Sequence, residues 1–160
     1  MNPGRRDLDG DLTNNGYIFL ARGRNRGTQD KMPSDNFTVT VDDTARLMTI
    51  RVRGGEPGSH YAAKYMEAYA AIDRPWTYAR LLDHRHFKGI MSFDQVTAMA
   101  RQWADLTRGV GGNSRAAVLT RDPLATARIN SLRALYPNVD IQVFSRQADA
   151  LEWLGVYEVA

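Results

Sequence analysis

The chain has 160 residues, 43% of them apolar and 24% charged, with a formal net charge of +3 at pH 7 and no cysteine. That length suits one domain with a core of its own, and the lack of cysteine excludes disulfides, thiolate metal sites and thiol chemistry while suiting a reducing cytoplasm. The sequence pI of about 9.4 comes from arginines scattered among acids, not from the single basic stripe with exposed aromatics that nucleic-acid binders concentrate.

The longest apolar run near the start is Tyr17–Ala21. It is far shorter than the ~20 residues of a membrane span or the ~7–15 of a signal-peptide core. The expectation is a soluble, cytoplasmic protein with no nucleic-acid partner and no membrane insertion.

Residues 1–35 hold Gly4, Gly10, Gly16, Gly23 and Gly27 among charges of both signs, with no sustained period. They read as a disordered N-terminal tail, and Met32 stands at its end as an alternative start of translation. A single α/β domain is expected over 36–156, followed by a short tail over 157–160.

Phe37–Val41 and Leu47–Val52 alternate and are rich in β-branched residues, with a polar turn over 42–45, so they predict an antiparallel hairpin. After a Gly/Pro loop, Ser59 is placed to cap a helix with the stripe Tyr61/Ala62, Tyr65/Met66, Tyr69 and Ile72. Trp76–Asp83 reads as a central strand. Ser92-Phe93-Asp94-Gln95 is a capping box that opens a helix expected to bury Phe93, Val96, Met99/Ala100, Trp103 and Leu106.

Ala116–Thr120 is continuously apolar, as in a parallel strand covered on both faces. Asp122-Pro123 then sets a cap and first position for a helix with Leu124/Ala125, Ile129, Leu132 and Leu135/Tyr136 on its apolar side. Val139–Phe144 is the fifth strand, and Gln147–Leu154 a closing helix stopped by Gly155. The order β-β-α-β-α-β-α-β-α predicts an α/β fold, a mixed but mostly parallel five-stranded sheet with four helices.

Three local features join that order: a strand ending in Asp83 before a helix opened by Ser92, Ala117-Val118-Leu119 before Asp122-Pro123-Leu124, and Val143–Arg146 leading into Ala150–Leu154. Over residues 37–155 the chain resembles the STAS family, and within it the SpoIIAA-like branch. The resemblance implies a non-enzymatic module without a cofactor, which binds a regulatory protein partner or, in some branches, a small ligand. It further implies a serine phosphorylation switch, most nearly at Ser92. The family's Asp-Ser-Ser/Thr-Gly run is replaced here by Ile90-Met91-Ser92-Phe93-Asp94. The partner surface expected on this basis is Asp83, Arg85, Ser92, Asp94, Gln95 and Arg101.

An alternative reading is a carrier or sensor of a small apolar or anionic ligand. Its pocket would lie under the first helix, with Tyr65 and Tyr69 as lining and Arg85 or Arg121 as anchor. A third is a small enzyme using the Asp83/His84/His86 cluster, expected as a loop at a strand's carboxyl end, where open α/β sheets bind ligands. Two histidines at i, i+2 lack a third metal ligand nearby, so no metal site is expected. Ser92 with His84 or His86 and Asp83 has the residue types of a triad but no nucleophile elbow. Gly109–Gly112 follows a helix, the reverse of a phosphate-loop context.

Overall fold

The computed structural model describes residues 19–20, 36–136 and 138–156. The elements are strand β1 (Phe19–Leu20), β2 (Phe37–Asp42), β3 (Leu47–Gly54), helix α1 (Gly58–Ala70), β4 (Ala79–Phe87), α2 (Phe93–Leu106), β5 (Ser114–Leu119), α3 (Pro123–Leu132), β6 (Val139–Phe144) and α4 (Gln147–Leu154). Short 3₁₀ turns at Pro75–Thr77 and Arg133–Leu135 precede β4 and extend α3. The expected mixed sheet is present: β2 and β3 form the antiparallel hairpin, and β3, β4, β5 and β6 run parallel in that order.

Phe19–Leu20, placed in the N-terminal tail on sequence, adds a two-residue parallel strand beside β2. The remainder of the expected 1–35 tail, and the 157–160 tail, lie outside the described residues.

Strand alternation sends the two side-chain rows to opposite faces. Phe37, Val39, Met48, Ile50, Val52, Ala116 and Val139 meet Tyr61, Tyr65, Tyr69 of α1 and Trp103 of α2 on one face. Leu81, Ala117 and Leu119 meet Ala150 and Leu154 of α4 on the other. The β5 run is therefore covered on both sides, which explains why its pattern is continuous rather than alternating. Burying each large side chain of α1 stabilises the fold by ~1.5–3 kcal/mol. With Tyr61, Tyr65 and Tyr69 all buried, that helix is the most firmly seated.

Several sequence expectations need correcting. Ser59 does not cap α1: the chain enters the helix from Pro57, without a side-chain cap, and Gly58 is its first residue. Gly58 is required there, because a Cβ would lie 2.2 Å from the Ile90 carbonyl oxygen and 2.8 Å from Met91 Cα. Ile72 falls beyond the helix end. The central strand runs from Ala79 to Phe87, not from Trp76 to Asp83; Pro75 begins a 3₁₀ turn, and β3 continues far enough for Gly54 to pair with Phe87.

Phe93, the first residue of α2, is 63% exposed rather than buried. Of the three predicted caps, those at Ser92 and Asp122 hold. Ser92 Oγ accepts from the Gln95 amide at 3.2 Å while Gln95 Oε1 accepts from the Ser92 amide at 2.8 Å, and Asp122 accepts from the Leu124 amide at 2.9 Å.

Candidate ligand-binding cavity

The apolar stripe expected on α3 buries no residue completely. Instead α3 stands off the sheet, and a cavity of about 850 Å³ separates it and α2 from β4, β5 and β6. Its walls are Tyr65, Met66 and Tyr69 of α1, Leu82 of β4, Val96, Met99 and Trp103 of α2, Val118 of β5, Ile129 and Leu132 of α3, and Ile141 of β6. That volume and lining fall within the range of small-molecule sites, which are largely apolar with a few placed polar groups. The exposed side chains Ile90, Phe93 and Leu124 rim one end. Arg80 and Trp103, both buried, also line the cavity.

Four residues proposed on sequence as ligand contacts, Tyr65, Tyr69, Arg85 and Arg121, all line this cavity. The pocket is not under α1, however. The tyrosines of α1 are seated in the core and form only one wall, while the open space lies beneath α2 and α3.

The second correction concerns the Asp83–His86 cluster, which is strand rather than loop. The pairing register of β3 and β4 shifts between Arg51/Asp83 and Arg53/His86, so β4 carries an extra residue there. Such a bulge re-aims side chains, and here both His84 and Arg85 reach the cavity wall. Asp83 is buried and clamped by Arg85, whose Nε and Nη2 donate to its two oxygens at 2.9 and 2.8 Å. Hydrogen bonds from Arg85 hold the Asp83 carboxyl below its usual pKa against the opposing effect of burial. Arg85 Nη2 also donates to Gln147 Oε1 at 3.2 Å. Asp83 is thus buried in an ion pair, and the Arg85 charge is already matched.

His84 Nε2 and the Tyr65 hydroxyl are hydrogen-bonded at 2.5 Å, with the Phe87 ring edge-on to the imidazole. Burial pushes the His84 pKa down to about 4, only partly offset by the Asp83 charge. Burial likewise raises the Tyr65 pKa well above its ordinary value. At neutral pH the His84–Tyr65 pair is therefore polar but uncharged. Ser92 is engaged in its cap, Asp83 with Arg85, and His84 with Tyr65, so the three residue types of a triad belong to separate hydrogen-bond groups. His60 bonds Glu56 at 2.8 Å, and His86 is exposed. Among the described residues no group of three His, Asp or Glu side chains is placed to hold a metal ion.

Of the other expected partner residues, Ser92, Asp94 and Arg101 are exposed, and Gln95 is half-buried in the capping box. Sequence reasoning missed Arg80, Met99, Trp103 and Tyr136 as cavity residues. Arg80 carried a signal: a charged residue in the middle of a run read as a central strand. Trp103 and Met99 carried none, because a helix stripe facing a cavity has the same period as one facing a filled core.

The chain matches no protein-family model and no curated protein sequence. Among the described residues no helix is long and apolar enough to cross a membrane.

Proposed function

We propose that this protein binds a small, mainly apolar molecule in the cavity between the sheet and helices α2 and α3. The observation that carries the reading is the cavity itself: about 850 Å³ within one domain, walled by aliphatic, methionine and aromatic side chains. An apolar molecule laid against that lining gains hydrophobic burial and dispersion contacts. Access would come from α3, which buries no residue completely and so separates from the sheet at low cost.

The test is a titration of the purified chain with decanoate and its neutral isostere decanamide, followed by calorimetry. Saturable binding of at least one, lost in Val118→Phe, whose ring projects into the cavity, is the expected result. If neither probe binds, the reading is wrong.

A second reading, a STAS-like cytoplasmic module that docks a regulatory protein and is switched at Ser92, is supported by the exposed Ile90, Phe93 and Leu124 around the exposed Ser92. Asp94 and Arg101 on the outer side of α2 would extend that surface. Retention of one stoichiometric protein by the chain, abolished by Phe93→Ser or by Ser92→Asp, would establish it. Loss of neither would leave Ser92 a helix cap alone.

A further inference from the structure

Arg80 is 3% exposed and lines the cavity beside Trp103. Among the described residues it forms no ion pair. One Nη2 hydrogen donates to Ser114 Oγ at 2.7 Å, and the guanidinium lies 4.1 Å from the centre of the Trp103 ring and 5.6 Å from that of Tyr69. Its buried Nε has no acceptor. Buried charges are ordinarily paired, because an uncompensated one is costly. Ring faces and the neutral hydroxyls of Ser114 and Tyr69 do not match a full positive charge.

The surroundings carry the same bias. Arg80, Arg85, Lys88, Arg121 and Arg128 line the cavity against one lining carboxylate, Asp122, which is committed to the α3 cap. Arg85 is neutralised by Asp83, and Lys88, Arg121 and Arg128 are exposed. Arg80 is the buried cation left among them.

Resting on the ligand-binding reading above, we propose that the ligand is an amphipathic carboxylate, its carboxyl group held by Arg80 and its apolar body laid along the sheet toward the Phe93 rim. From Arg80 to His84 the strand spans roughly 13 Å, room for an extended apolar body. The planar guanidinium fork suits a carboxylate. Burial raises the pKa values of Tyr69 and Tyr136 despite the opposing Arg80 charge, so both hydroxyls stay protonated; Tyr136 donates to the Val96 carbonyl at 3.5 Å, and the Tyr69 hydroxyl can donate to the same anion as Arg80.

The experiment compares decanoate with decanamide at pH 7.5 on the full chain, the Arg80→Met variant and the Arg80→Lys variant, alongside the Tm of each without ligand. The expected result is at least tenfold tighter binding of decanoate by the native chain, no preference in Arg80→Met, and partial preference in Arg80→Lys. The unliganded Arg80→Met variant should melt at or above the native Tm, since a costly unpaired charge has gone. Equal binding of the two probes by the native chain would overturn the anionic ligand while leaving the cavity reading intact. A lowered Tm in Arg80→Met with the decanoate preference retained would make Arg80 a structural residue and equally overturn it. Binding of neither probe would defeat both readings.

Discussion

His84 gives the sharpest stability test of the cavity wall. In an unfolded chain its imidazole takes a proton near pH 6.5; in the folded protein burial delays this to about pH 4. Between those values the unfolded state holds the extra proton, so folding stability falls as pH falls through this window. Above about pH 7 the ring is neutral in both states and contributes no pH dependence. A gap of about 2.5 pH units at 1.36 kcal/mol per unit amounts to about 3 kcal/mol. The ring is only half-buried because the cavity reaches it, and water there screens part of the penalty, so the expected span is ~1–3 kcal/mol.

His84→Gln keeps a polar atom near the Tyr65 hydroxyl but cannot titrate. Urea unfolding of both proteins from pH 7.5 to pH 4 isolates the effect. Asp83, whose lowered pKa makes its stabilisation fade at still lower pH, is common to the two and cancels. The native chain should lose ~1–3 kcal/mol more than His84→Gln over that range. Parallel curves would refute the reasoning and mean that His84 titrates as freely as in an unfolded chain.

Other perturbations follow from the same geometry. Gly58→Ala should destabilise the protein by ~1–3 kcal/mol in urea unfolding, because the backbone oxygen of Ile90 blocks the new Cβ; helix propensity alone would predict a gain of up to ~1 kcal/mol. Ser92→Ala should cost ~1 kcal/mol as a lost cap, and Ser92→Asp, which keeps an acceptor for the Gln95 amide, should recover most of it. In hydrogen exchange the α3 amides should open far more readily than those of α1, whose three tyrosines are buried. Saturation with decanoate should slow exchange in α3 more than in α4, which packs on the opposite face.

The fold was legible wherever local chemistry and tertiary contacts agree. Alternation in Phe37–Val41, the Ser92–Gln95 box and the Asp122-Pro123 pair each specify an element by interactions within a few residues, and each is found where expected. The sequence misled where a distant element decides. β4 runs on through His84 and Arg85 because β3 is there to pair with it. Ser59 is a good cap residue, yet the close packing of Gly58 on Met91 starts the helix two residues earlier, from Pro57.

The site was legible only in part. Tyr65 and Tyr69 were recognisable as candidates from the stripe of the first helix, and Arg85 and Arg121 from residue type and their place near strand ends. Their convergence on one cavity depends on α3 standing away from the sheet, and no periodicity encodes that. Arg80 could be suspected from its place in a strand, but its lack of an anionic partner is a property of the whole neighbourhood.

The most direct test of the central claim is a methyl NMR titration of the full chain with decanoate. Shifts concentrated at Leu82, Val96, Val118, Ile129 and Ile141, which wall the cavity, are predicted, with Leu151 and Leu154 on the opposite face unmoved. Shifts confined to Ile90 and Leu124 at the exposed rim, or none at all, would contradict it.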